Sequence, residues 1–120
     1  MKNEYKLPAD VYITVKQYVA GYERRRANLK RLEQAGSELS AAEREDLFKN
    51  KVIDEAAAQI GSCIQNKELR RKLVAAIKEN CRNKNASFEY FDLPGVSSYL
   101  FFREKHKFLY TIAKACHLIN

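Results

Sequence analysis

Apolar residues recur every three or four positions along most of the chain, and this spacing constrains the fold more than any other feature of the sequence. The longest example extends from about Ala9 to Gln34, and its members are Val11, Val15, Tyr18, Tyr22, Leu29 and Leu32. Residues spaced in this way lie along one face of an α-helix. The segment is therefore predicted to form one long helix of about six turns. Arg25 takes the position that would complete the repeat, and Gly21 weakens the middle.

The stripe on this first helix has two interpretations. In one, it faces the core of its own chain, as the apolar face of most helices does. In the other, it forms a coiled-coil seam with a second copy, because a narrow stripe on a long helix often meets a partner helix. The second interpretation makes residues 1–38 a dimerisation element, residues 39–120 a helical domain, and the protein a homodimer. Arg24, Arg25 and Arg26 are expected on several faces, in solvent.

A second helix is predicted after a loop at 35–39, in which Gly36 stands where a helix would end. Ser40-Ala41-Ala42-Glu43 has the form of a capping box, in which each end residue satisfies a backbone donor of the other. The helix should continue to about Ile60. The residues expected to face inward are Leu47, Phe48, Val52, Ala56 and Ile60.

Two more helices follow. Asn66 is a candidate cap for a helix that ends near Arg82, and Ser97 can cap a last helix that ends near Cys116. The polar run 83–87 predicts a loop, and Phe88-Glu89-Tyr90-Phe91 predicts one short helical turn. With only four glycines and two prolines, the chain lacks the many tight turns of an all-β fold. The predicted fold class is all-α, with four main helices.

Several functional classes are disfavoured. No stretch approaches the roughly 18 apolar residues that a membrane helix needs, and no apolar segment follows the charged start, so we expect a cytoplasmic protein without membrane contact. Cys63, Cys81 and Cys116 are far apart, which predicts buried free thiols rather than a metal site. The sequence has no glycine-rich phosphate loop and no paired carboxylate motif. We therefore expect no enzymatic activity, no catalytic residue and no cofactor.

The positive charge is concentrated in the second half of the chain. The formal charge is +7, but residues 1–60 hold eleven basic and ten acidic residues, whereas residues 61–120 hold eleven basic and five acidic residues. The second half therefore carries +6. A basic excess of this kind attracts polyanions such as nucleic acid. The alternative is a solvated surface that only keeps the protein in solution.

The last 50 residues carry the strongest functional signal. A basic helix is followed by the turn Leu93-Pro94-Gly95-Val96-Ser97 and a final helix, which is the layout of a helix-turn-helix. Backbone amides at the start of the final helix could meet a phosphate, and Arg103 could make a bidentate contact to guanine. The predicted DNA-binding residues are Ser97, Ser98, Tyr99, Phe102, Arg103, Lys105, His106 and Lys107, with Arg70 and Arg71 from the preceding helix.

A family resemblance supports this interpretation. The residues that carry it are Glu68-Leu69-Arg70-Arg71-Lys72-Leu73, Leu93-Pro94-Gly95-Val96-Ser97 and Phe101-Phe102-Arg103-Glu104-Lys105-His106-Lys107-Phe108-Leu109-Tyr110-Thr111-Ile112-Ala113. From Val52 to Ile119, a little over half of the chain, the sequence resembles the phage-encoded RinA/ArpU-type transcriptional regulators of Gram-positive bacteria. The resemblance implies a helix-turn-helix similar to region four of sigma factors. It also implies an activator that binds double-stranded DNA at a promoter of its own element, with residues 97–107 as the recognition helix.

Two departures from that family favour a second hypothesis. Residues 88–93, where a Glu-Ile-Ala type helix is usual, are short, aromatic and acidic, and Glu104 interrupts the basic run. The alternative function is a phage-encoded protein-interaction module or inhibitor that binds a host protein such as RNA polymerase or a nuclease. RNA binding is a weaker third option, because the sequence has no RRM or GXXG signature.

Overall fold

The computed structural model describes residues 4–83 and 85–120, and within them the chain forms five α-helices, one short 3₁₀ turn and no strand. The helices are α1 (Ala9–Ala20), α2 (Tyr22–Gln34), α3 (Ala41–Ala57), α4 (Lys67–Arg82) and α5 (Ser98–Ala115), and the 3₁₀ turn is Phe88–Tyr90. The predicted all-α class is confirmed, but the main helices number five rather than four. Residues 1–3 of the predicted N-terminal segment and residue 84 of the predicted loop lie outside the described residues.

The long N-terminal helix is interrupted at Gly21, which separates α1 from α2. Arg25 explains the interruption, because its side chain folds back over this glycine. A Cβ atom at residue 21 would lie 2.6 Å from Nη1 of Arg25. The guanidinium donates a hydrogen bond to the carbonyl oxygen of Tyr18, in the last turn of α1. Arg25 is only 7% exposed, so the prediction that it lies in solvent is wrong.

One hydrophobic core joins α1, α3, α4 and α5, with α1 lying against α4 and α5 and α3 lying against α5. Its largest fully buried side chains are Phe101, Phe108, Ile53, Leu73, Ile77, Leu109, Ile112 and Val15. Val15 and Val19 bring the first half of the N-terminal stripe into this core, and Tyr18 packs at its edge. The second half of the stripe lies on α2, where Leu29 and Leu32 are half-buried and the neighbouring helix is α3.

The predicted capping signals are confirmed. Ser40 and Glu43 form a capping box, with hydrogen bonds of 2.8 Å and 3.2 Å between each side chain and the backbone amide of the other. The side chains of Asn66 and Ser97 each accept a backbone N–H three residues further along, at 3.1 Å. Gly95 has a φ of 83°, a conformation that glycine adopts without strain, in the turn that leads into α5.

The predicted inward face of α3 is only partly correct. Val52, Ala56 and Ile60 are buried, but Leu47 is 48% exposed and Phe48 is 49% exposed. The polar Asn50 lies in the contact with α2, and residue 48 is about 200° around the helix from it. The side chain of Phe48 therefore points away from α2. None of the helices in the described ranges is long and apolar enough to cross a membrane.

Candidate functional site

The start of α5 is the exposed part of an otherwise central helix. Phe101, Phe108, Leu109 and Ile112 anchor the helix in the core, whereas five residues in its cap and first two turns are exposed. These five are Ser97, Ser98, Tyr99, Phe102 and Arg103, and they are called the α5 tip below. All five belong to the predicted DNA-binding set, so the structure keeps half of that set together on one surface.

The α5 tip is held in place by the turn before it. Leu93 and Val96 are both buried, at 8% and 7% exposed, and the amide of Val96 donates to the carbonyl oxygen of Leu93 at 3.1 Å. Ser97 then caps the helix. Because the buried Phe101 fixes the orientation of α5, the neighbouring residue Phe102 faces outward and is 40% exposed.

Aromatic rings surround Phe101 and reach the surface beside the α5 tip. The ring centroids of Phe88, Phe91 and Phe102 lie 5.2, 6.0 and 5.1 Å from that of Phe101. Tyr90 contacts Phe91 edge-on at 5.4 Å and is 75% exposed. Sequence reasoning placed residues 88–91 in a helical turn but did not identify Tyr90 as a surface residue. The position of Tyr90 near the exposed start of α5 results from the tertiary fold, which local sequence patterns do not reveal.

Three predicted DNA-binding residues of α5 are not on the exposed surface. Lys105 is 7% exposed, with its ammonium group 5.5 Å from the ring of Tyr12 and 5.9 Å from that of Phe102. His106 is half-buried, with its ring 6.1 Å from that of Tyr12, and Lys107 is half-buried. Burial shields Lys105 from an external ligand, whereas DNA contact by the half-buried His106 and Lys107 stays a prediction. A helix that packs against α1 and α3 turns these positions towards its neighbours.

Glu104 is also turned away from the α5 tip. It is 4% exposed, and its Oε1 atom accepts a hydrogen bond of 2.7 Å from the backbone amide of Gly61. In the sequence this residue interrupts a basic run, which suggested that a negative charge would face a nucleic acid. In the fold its carboxylate instead binds α5 to the loop that follows α3.

Arg70 and Arg71, the remaining predicted DNA-binding residues, have different environments. Arg70 donates from Nε to the carbonyl oxygen of Ile60 at 2.9 Å and from Nη2 to that of Ala58 at 2.7 Å. It therefore stabilises the end of α3 with two of its three side-chain nitrogens, and its role in DNA contact stays a prediction. Arg71 is exposed and forms an ion pair with Glu68. Both Arg70 and Glu104 bind the segment that follows α3, so α4 and α5 are both connected to this segment.

The charges near the α5 tip are mixed. Arg103 supplies its positive charge, and Lys67, Arg71 and Lys72 are exposed at the start of α4. The acidic residues Glu89 and Asp92 are exposed on either side of Tyr90 and Phe91. The surface thus combines exposed rings, one arginine and two carboxylates, with further cations on the neighbouring helix.

A buried polar cluster joins the junction of α1 and α2 to α3, and sequence reasoning missed it. Arg25 donates to Asn50 at 2.8 Å, Asn50 donates to the carbonyl oxygen of Tyr22 at 3.1 Å, and the Tyr22 hydroxyl donates to Asp54 at 2.6 Å. Burial lowers the pKa of Arg25, while burial and the Asp54 carboxylate raise the pKa of Tyr22 to about 12. The sequence did contain a signal for this cluster, because Arg25 occupies a position in an apolar repeat.

A groove of about 520 Å³ lies between α1 and the end of α4. It is lined by Ile13, Lys16, Gln17, Ala20, Asn80, Cys81, Arg82, Asn83 and Asn85. The side-chain amide nitrogen of Asn80 donates to the carbonyl oxygen of Ala86 at 2.8 Å, while its buried Oδ1 atom has no partner in the described chain. The groove is large enough for a small ligand.

The three cysteines differ in their exposure. All three are free; Cys81 is buried, Cys116 is half-buried and Cys63 is exposed, so the prediction of buried thiols is wrong for Cys63. Burial raises the pKa of the Cys81 thiol to about 11 and also raises that of Cys116, which disfavours the thiolate form that binds metals. No group of three or more His, Cys, Asp or Glu side chains that could hold a metal ion occurs in residues 4–83 and 85–120.

Comparison of the chain with protein-family models, with curated proteins and with solved structures gives no match.

Proposed function

We propose that the protein binds double-stranded DNA through the α5 tip and acts as a transcriptional regulator of a phage or mobile element, in the manner of the RinA/ArpU-type regulators that it resembles. The exposed cap and first two turns of α5 carry this proposal. A recognition helix contacts base edges with residues near its N-terminus, and four residues in the first two turns of α5 are exposed.

The chemistry of the α5 tip suits a DNA groove. Phe102 and Arg103 follow Tyr99 by three and four residues, so each is its neighbour on the surface of the helix. The guanidinium of Arg103 has the fork geometry for the O6 and N7 atoms of guanine. Amides in the first turn of a helix favour a nearby phosphate. Lys67 and Lys72, exposed at the start of α4, are the proposed backbone contacts.

This proposed site differs from a standard helix-turn-helix. In that motif, a turn of three or four residues joins two helices, whereas the segment between α4 and α5 spans residues 83–97 and holds one 3₁₀ turn. The helix expected before the recognition helix is therefore absent from the described residues. The burial of Glu104, in contrast, removes an objection to DNA binding, because its charge does not face the proposed ligand.

The direct test is fluorescence anisotropy with duplexes from the promoters of the encoding element and with duplexes of random sequence. We expect Arg103→Ala to reduce discrimination between the two by about tenfold, since one bidentate contact contributes about 1–3 kcal/mol. Lys114→Ala is the matched control, because Lys114 is an exposed cation at the far end of α5. An absence of duplex binding by the wild-type protein at low salt would contradict the proposal.

A second candidate function is supported by the acidic and aromatic residues beside the α5 tip. Tyr90, Tyr99, Phe102 and Arg103 are residue types common at the centres of protein interfaces, and Glu89 and Asp92 would repel a phosphate. The partner in this case is a host protein such as RNA polymerase. A pull-down with nuclease-treated host extract separates the candidates, because a protein contact survives nuclease and a contact through DNA does not.

A dimeric form of the regulator would not use Val15 and Val19, because both already face the core of their own chain. Apolar side chains of the first three helices that a second copy could contact include the exposed Ile13 on α1, the half-buried Leu29 and Leu32 on α2, and the half-exposed Leu47 and Phe48 on α3.

A further inference from the structure

Three aromatic side chains near the start of α5 are exposed to solvent. Tyr90 is 75% exposed, Tyr99 is 57% exposed and Phe102 is 40% exposed, and together they are called the aromatic surface. Single exposed apolar residues are ordinary, but grouped ones mark an interaction site. The duplex contacts proposed above use Arg103 and the helix start, and they leave the purpose of Tyr90 unexplained.

The aromatic surface is built on the core. Phe102 packs edge-on against the fully buried Phe101 at 5.1 Å, and Tyr90 is connected to Phe101 through Phe91 by contacts of 5.4 and 6.0 Å. Tyr99 is three residues before Phe102, so both lie on one face of α5. Rings held in this way lose little further freedom when a ligand binds.

We propose that the aromatic surface stacks unpaired DNA bases, so that the α5 site prefers locally opened DNA to a closed duplex. This inference rests on the proposed function and specifies the form of DNA that the site takes. Every base has a flat π face, and stacking on aromatic side chains is the usual way in which proteins hold single strands. Arg103, which follows Phe102 in the sequence, supplies a positive charge for the negatively charged strand.

The acidic residues beside Tyr90 determine which part of the DNA can face the rings. Glu89 and Asp92 are exposed, and their carboxylates disfavour a phosphate at this position. A base is uncharged, and its amino group can donate to a carboxylate, as that of cytosine does. The +6 charge of residues 61–120 favours a negatively charged partner over a neutral or basic protein for this half of the chain.

The test compares three fluorescein-labelled probes with the full chain at low salt: an oligothymidine strand, a closed duplex of the same length, and that duplex with a mismatched bubble at its centre. We expect the strand and the bubble to bind more tightly than the closed duplex. The chain has seven tyrosines and no tryptophan, so base stacking should also quench its tyrosine emission.

Substitutions identify the rings involved. Tyr99→Leu and Phe102→Leu should each weaken binding to the strand roughly tenfold, because stacking is lost while an apolar side chain remains. Phe48→Leu is the matched control, since Phe48 is 49% exposed but lies on α3, and its affinity should stay within about twofold of wild type. Tyr90→Leu changes the most exposed of the three rings, so it should disturb the fold least. Circular dichroism checks the fold of all four variants.

The outcomes separate the two proposals. The stacking inference is overturned if the wild-type protein binds the closed duplex and the ring variants bind the strand as tightly as wild type does. The proposed function then remains intact. Equal affinities for the three probes, or a preference for the closed duplex, likewise overturn only the stacking inference. A wild-type protein that binds none of the three probes overturns both proposals.

Discussion

Arg25 combines a charged side chain with a position in the interior of the fold. The residue is 7% exposed, and its guanidinium donates to Asn50 and to the carbonyl oxygen of Tyr18. A buried charge is tolerated only when its hydrogen bonds are made, and removal of one partner leaves the others unsatisfied. Arg25 therefore fixes the junction between α1, α2 and α3 by a polar contact rather than by apolar packing.

The first prediction concerns this residue and its neighbour. Arg25→Met should lower the free energy of unfolding by about 3 kcal/mol, because it leaves the Asn50 side chain and the Tyr18 carbonyl without their donor. Arg26→Met should change it by less than about 0.5 kcal/mol, since Arg26 is exposed and its ion pair with Glu23 is 3.9 Å long. Urea unfolding followed by circular dichroism measures both. Equal effects would contradict a structural role for Arg25.

The two histidines provide a pH test at the same scale. Burial, with a smaller effect from Lys105, lowers the pKa of His106 below its usual 6.5. The unfolded chain therefore takes up a proton near pH 6.5, whereas the folded chain does so only at lower pH. The stability that His106 contributes is fully present above pH 6.5 and is lost as the pH falls towards its folded-state pKa.

His106→Gln should flatten the decline in stability between about pH 6.5 and 5.5. His117→Asn is the control, because His117 is exposed and has a φ of 59°, which asparagine tolerates. Urea unfolding at several pH values checks the difference. A decline that persists unchanged in His106→Gln would show that other groups cause it.

At the scale of elements, the join between α3 and α4 depends on Arg70. Its two hydrogen bonds satisfy the carbonyl oxygens of Ala58 and Ile60, which lie where α3 ends and lack helical partners. We expect Arg70→Gln to lower the free energy of unfolding by about 1–2 kcal/mol. Arg71→Gln should have little effect on stability, because its pair with Glu68 is exposed. The opposite order would mean that Arg70 is not a capping residue.

The elements that could be predicted from the sequence are those defined by local signals. Ser40, Asn66 and Ser97 cap helices because a side chain and a backbone amide three residues away are enough to make the bond. The interruption at Gly21 depends on Arg25 meeting Asn50, which is 25 residues further along the chain. The exposure of Phe48 likewise depends on which face of α3 its neighbours cover. Neither is encoded in local spacing.

At the scale of the whole molecule, part of the candidate site could likewise be predicted from local sequence signals, and part depends on which helices pack together. The sequence placed residues 97–107 on one helix, and its first two turns are exposed. It could not show that α1 and α3 cover Lys105, His106 and Lys107, because periodicity within one helix does not reveal which neighbours pack on it. The concentration of charge in residues 61–120 was visible in the sequence, but the number of cations available at one surface is a property of the fold.

The salt dependence of DNA binding measures how many cations of the protein contact the DNA. If binding uses the surface formed by the starts of α4 and α5, the cations are Arg103, Lys67, Arg71 and Lys72, and log K should fall with log salt with a slope of about −3 to −4. Lys67→Gln should make the slope shallower by about 0.9, whereas Lys114→Gln should not change it. Anisotropy titrations at four salt concentrations give each slope. A slope near −6, shared by all variants, would assign binding to the +7 charge of the whole molecule and contradict a defined surface at the α5 tip.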